Sequence, residues 1–192
     1  MALRGLELAV IVLIGFALSG CTGASEPNAV PSTASTTPPS RFGAPIVPSP
    51  ADVSGLATSP CTSTLSASEL RSMNFLAPGR QRSNLGAVAC AWTSTTDDRL
   101  TVTVDIGRDL LVDSYRARPT PIFESVAVGN FPAVRQRTSF DVNTCTVTVG
   151  VSDRQALEVD WTGHKPPSAT EDPCAKAEEA IALVVRKLPP QR

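Results

Sequence analysis

The sequence predicts an α+β domain: an antiparallel sheet of about six strands covered by N-terminal and C-terminal helices. Three observations carry this expectation. "LTVTVDI" (100–106) and "CTVTVGV" (145–151) alternate apolar and polar side chains with period two, the pattern of a strand with one buried face. Tight turn signals, "TTDD" at 95–98 and "SDRQ" at 152–155, join such segments as hairpins. Helical spacing frames the region at both ends.

Each element has its own reason. "LSASELRSM" (65–73) holds Ser66 and Glu69 at capping-box spacing, which starts a short helix. "GAVACAWTS" (86–94) puts Val88, Cys90 and Trp92 on one strand face. The next strand, 97–106, directs Leu100, Val102, Val104 and Ile106 inward. "RDLLVDSYRA" (108–117) reads as a short helix or an irregular crossover. "FESVAVGNFPAVRQRTS" (123–139) gives two strands around Gly129-Asn130. Cys145, Val147, Val149 and Val151 then alternate on one strand, and Leu157, Val159 and Trp161 on the last. Asp172 caps the final helix and Pro173 suits its first position. Ala177, Ile181, Val184, Val185 and Leu188 recur at helical spacing until Pro189 and Pro190 end the run. One-sided alternation implies a sheet with one covered face, and the two terminal helices are the expected cover.

Composition narrows function by exclusion. The 192 residues carry 17 basic and 18 acidic side chains, a net charge of −1. A nucleic-acid binder needs a concentrated basic face, so no nucleic-acid partner is expected. A single histidine lowers the expectation of metal or acid–base chemistry.

The N-terminus gives an address. The apolar run Leu8 to Leu18 is little more than half the about 20 residues needed to span a bilayer, so it fits a signal peptide. "LSGC" (Leu18, Ser19, Gly20, Cys21) follows at once and looks like a bacterial lipobox, with small residues before a cysteine whose sulfur accepts diacylglycerol. Lipidation at Cys21 is the expectation, with membrane attachment through the acylated cysteine. Each buried methylene contributes about 0.8 kcal/mol, and two chains anchor durably where one does not. Residues 1–20 are then a removed signal peptide, and 21–59, rich in Pro, Ser, Thr and Ala, a disordered tether averaging roughly 35 Å end to end. The globular domain is expected over 60–192.

Removing Cys21 leaves Cys61, Cys90, Cys145 and Cys174, an even number that reads as two disulfides in an exported chain. Cys61 to Cys90 and Cys145 to Cys174 have equal spacing, and each joins a helix start ("SPC", "DPC") to an inward strand position. This local pairing is expected. The rival, which joins the two helix starts to each other and the two strands to each other, stays open. The paired C-x-x-C knuckles of a zinc site are missing from the sequence, so no metal is expected.

Taken in order, the lipobox, the tether, "SPC", "CAW", "VGNFPAV", "CTVTVGVSDRQALEV" and "DPCAKAEEAIALVVRKLP" resemble a family of actinobacterial secreted lipoproteins classed as a domain of unknown function. The likeness covers residues 60 to 190 and implies a lipid-anchored extracytoplasmic domain with paired cysteines. The order of strands and helices is also similar to the PsbP or Mog1 type of sandwich, an analogy of fold and not of function.

No residue constellation points to catalysis, and no nucleophile elbow, HExxH or phosphate loop occurs. His164 reads as a solvated loop residue. Asp97-Asp98 suits a turn, Glu171-Asp172 a helix start, and Glu178-Glu179 an exposed helix face. Trp92 and Trp161 read as core anchors, Arg135 and Arg137 as an outer strand face, and Arg80 and Arg82 as loop residues. The expected function is a non-enzymatic, membrane-anchored module that needs no cofactor and binds an envelope protein or an apolar ligand, or supports an envelope assembly. A lipid carrier with a cavity between sheet and helix, and an envelope hydrolase, are the alternatives.

Overall fold

Alternation becomes pairing along seven strands: β1 (Arg80–Asn84), β2 (Ala87–Thr93), β3 (Arg99–Asp105), β4 (Ile122–Val128), β5 (Phe131–Arg137), β6 (Thr144–Ser152) and β7 (Gln155–Thr162). The computed structural model describes residues 40–84, 86–140, 142–165 and 172–189, which belong to the compact unit Pro39–Arg192. The sheet order is β1-β2-β3-β7-β6-β5-β4, with every pair antiparallel. The architecture is α+β, as the alternation predicts. The expected six strands become seven because "RQRSN", read as loop, pairs with β2 along the edge.

The first face of the sheet is sealed. Cys90, Leu100, Val102, Val104, Val147, Val149, Leu157 and Val159 are fully buried there, and so are Ala177, Ala180, Ile181 and Val184 of α5 (Pro173–Val185). Three short helices, α1 (Ser54–Ala57), α2 (Pro60–Ser63) and α3 (Ala67–Ser72), extend the cover. The predicted start signals operate: Ser66 and Glu69 form a full capping box on α3, and Asp172 accepts from the Cys174 N–H ahead of Pro173. Ile106 departs from its expected inward place and is 45% exposed, because the strand ends at Asp105.

The second face is half covered, a point the alternation alone did not reveal. Residues 108–117 form a true helix, α4 (Leu110–Ala117), which crosses from β3 to the far edge strand β4 and packs on β5, β6 and β7. Leu111 and Tyr115 join Val134 and Ala44 in a second small core. Gly150 lets this happen. A Cβ built there would sit 2.8 Å from Leu111 Cδ2, so the close approach of α4 to β6 requires glycine. Gly150→Val is expected to cost about 1–3 kcal/mol by overpacking, read as a lower urea midpoint.

The domain also begins earlier than residue 60. Residues 40–59 are rich in proline and serine like the tether before them, yet Ala51 donates to Val151 O at 2.8 Å, Val53 is fully buried, and Val47 packs beside Gly150. Pairing with β6 and burial against the core supply the order that composition concealed. The tether's earlier part, with the lipobox and Cys21, lies outside the described residues.

Candidate functional site

The cysteines occupy structural positions. Cys61 is bonded to Cys90, and Cys145 to Cys174, each pair with a Cα separation of 5.0 Å and 29 residues apart in sequence. One bridge fastens α2 to β2, the other the start of β6 to the start of α5. The rival pairing is not the one adopted.

The other sequence candidates are scattered, and most are used up in structural contacts. Trp92 is 2% exposed, and Trp161 lies edge-on to Phe75 at 5.0 Å beneath the Lys176 ammonium, so both serve the core. His164 is exposed and gives its backbone N–H to Asp98 Oδ1 at 2.9 Å. Asp97 sits at φ 63° in the β2–β3 hairpin. Glu178 pairs with Arg135, which also pairs with Glu124. Glu179 is exposed, and Glu171 lies outside the described residues. Arg137 lies over the Phe140 ring and donates to Phe140 O and Val142 O. Arg135 and Arg137 therefore form no open basic patch.

What the structure does bring together lies on the second face, beside α4. Strand register lines up Arg82, Ala89, Thr103, Glu158 and Thr148 in one row, and Arg80, Ala91, Thr101, Asp160 and Thr146 in the next. Ala87, Ala89 and Thr103 leave the floor low. Arg82, Arg108, Leu110 and Glu158 help wall a groove of about 270 Å³ over it. Arg108 is fixed from behind: the buried Asp105 carboxylate accepts from its Nε at 2.9 Å and pairs with Nη2 at 2.7 Å. Asp105 also accepts from the Gly107 and Arg108 backbone N–H groups at 2.9 Å each.

The two carboxyls of β7 are unusual in their surroundings. The Thr148 hydroxyl donates to Glu158 at 2.9 Å, and the Thr146 hydroxyl donates to Asp160 at 2.6 Å. Burial, reinforced by the charge of Asp160, pushes Glu158 up from 4.5 to about 7; Thr148 and Arg108 oppose this. Burial likewise raises Asp160. Glu158 therefore exchanges a proton near neutral pH, where ordinary carboxylates are fully ionised.

The linkage has a definite sign. Folding raises the Glu158 pKa, so between about 4.5 and about 7 the native state holds a proton that the unfolded chain has lost. Stability then falls as pH rises through that window and levels off above it, by about 3 kcal/mol at most. Glu158→Gln is expected to raise stability at pH 8 and change it little at pH 4.5, measured by urea unfolding at the two pH values.

Sequence reasoning missed Glu158 and Asp160. "LEVDW" was visible as alternation, and the carboxyls fall on its polar phase, which reads as solvent when only one face is covered. The signal available was a pair of acids two residues apart on a central strand; what raised their importance was α4 reaching the same face.

Among the described residues, no group of three or more His, Cys, Asp or Glu side chains is placed to hold a metal ion, and no helix is long and apolar enough to cross a membrane. Fold and site together define a disulfide-stapled α+β domain with one sealed sheet face and one face open over β1 to β3. The chain belongs to the family described as "Protein of unknown function (DUF3558)", which matches residues 16–187. No curated protein and no solved structure matches it.

Proposed function

We propose that this protein is a lipoprotein held on the extracytoplasmic face of a membrane by acylated Cys21, and that its domain is a non-enzymatic binding module using the open half of the second sheet face. The observation that carries the binding reading is the groove over Ala87, Ala89 and Thr103: a low floor, with charged walls, on the part of the sheet that α4 leaves uncovered. The anchoring reading draws on "LSGC" directly after a short apolar run. Two disulfides agree with it, since such bonds persist in oxidising compartments. A carrier with its cargo between sheet and helix finds less support, because Ile181, Val184, Val149 and Val159 are fully buried in that interface. The actinobacterial lipoprotein likeness of the motif order is consistent with this address.

Two substitutions test the two halves of the proposal. Cys21→Ala is expected to abolish incorporation of labelled palmitate and to move the protein out of the membrane fraction. Undiminished label and retention in that variant would overturn the anchor. Ala89→Trp fills the groove floor on a strand that accepts aromatic residues. Native mass spectrometry of the full chain released from membranes is expected to show added mass that the variant lacks; identical spectra would sink the binding reading.

A further inference from the structure

We propose that the groove on the second sheet face binds the oxyanion of a small molecule, a carboxylate or a phosphate-like group, between Arg82 and Arg108, and that protonation of Glu158 strengthens this binding. The proposal deepens the binding reading above and rests on it.

The groove carries unspent positive charge. Arg82 stands exposed on the edge strand, and its side chain has no hydrogen bond or ion pair among the described residues. Arg108 spends Nε and Nη2 on Asp105, which leaves Nη1 without a partner among those residues. A guanidinium locked by a buried carboxylate loses little freedom on meeting a ligand, and guanidiniums match planar or tetrahedral oxyanions by paired N–H donors. Both walls of the groove thus offer donors above a floor too low to obstruct them. Arg82 and Glu158 are three strands apart in one row, roughly 14 Å at the usual strand spacing. That length admits a small molecule whose oxyanion lies between the two guanidiniums.

Glu158 supplies the regulation. The groups that bear on it are Asp160 on its own strand, Thr148 on β6, Thr103 on β3, Asp105 and Arg108 at the start of the α4 connection, and Arg82 across the groove. Ionised, Glu158 repels an incoming anion and competes for Arg108. Protonated, it removes that repulsion and becomes a hydrogen-bond donor. Because its pKa lies near 7, the change falls within the physiological range. A bound anion must in turn raise that pKa, since linkage is reciprocal.

Sulfate and oxalate are suitable probes, because neither changes charge between pH 6 and 8. The full chain in detergent is titrated with each, following the Glu158 carboxyl carbon and the arginine side chains by NMR. Affinity is expected to be about fivefold tighter at pH 6 than at pH 8, the ratio for a one-unit rise of a pKa near 7 on binding. Arg82→Gln and Arg108→Gln each weaken binding at both pH values. Glu158→Gln keeps the tighter binding and loses the pH dependence. Phosphatidylglycerol micelles acting at lower concentration than sulfate assign the anion to a lipid headgroup; sulfate or oxalate acting first assigns it to a soluble molecule. No shift at pH 6 with either anion, or an unchanged pH ratio in Glu158→Gln, overturns the proposal. If added mass is still lost in Ala89→Trp while no anion binds, the groove remains a binding site and the oxyanion assignment alone fails.

Discussion

Replacing Cys145 and Cys174 together by serine is expected to lower stability by about 3.5 kcal/mol, the entropy of closing a loop of this length in the unfolded chain. The loss is concentrated where it matters most for the core. The bridge fastens the first turn of α5 to the first residues of β6, and α5 supplies Ala177, Ala180, Ile181 and Val184, all fully buried on the sealed face. Without it the helix is held only by its apolar stripe and its Asp172 cap. Guanidinium unfolding of the oxidised protein and of the double variant measures the difference. A midpoint unchanged by the substitution would mean that packing alone fixes α5. Cys61→Ser with Cys90→Ser removes an equal span of loop from a shorter helix, and an effect of similar size is expected.

Trp92→Ala is expected to be as damaging, about 3–5 kcal/mol, because it empties the largest fully buried side-chain volume in the fold. Trp92→Phe provides a sharper comparison. The indole Nε1 is buried with no hydrogen-bond partner among the described residues. An unpartnered buried donor costs about 1–3 kcal/mol, so phenylalanine loses volume but also removes that burden. The phenylalanine variant should therefore lie within about 1.5 kcal/mol of the wild type by thermal or chemical unfolding. A loss equal to that of alanine would show that the ring's far edge, and not its bulk near Cβ, is what the core depends on.

How much of this was legible depends on which physical signal each segment carries. Strands β2, β3, β6 and β7 were readable because their apolar residues alternate, and α5 because its stripe is complete and its caps are explicit. "RQRSN" has no apolar residue to alternate, so its strand state comes from pairing with β2 and not from its own pattern. Residues 40–53 carry the composition of a tether, and their order is tertiary: Ala44 packs with Leu111 and Tyr115 of α4, Val47 and Ala51 lie beside β6, and Val53 joins the core of the sealed face, places that no local rule predicts. Equal spacing and matched surroundings favour the cysteine pairs that the structure shows, while leaving one rival open. The groove was not legible, because it needs three things that lie far apart in sequence: an edge strand, the small residues of β2, and Glu158 on β7. Only register brings them into line.

Both bridges join cysteines that are consecutive in the described chain, 61 to 90 and 145 to 174, and the two loops neither overlap nor interlock. A polypeptide delivered N-terminus first to an oxidant would present Cys61 and Cys90 before either later thiol emerged, and the acylation of Cys21 proposed above would remove the one earlier thiol. Oxidation in the order of arrival then yields the native connectivity directly. Non-nested bridges of this kind ask for no exchange of partners when oxidation follows the order of arrival.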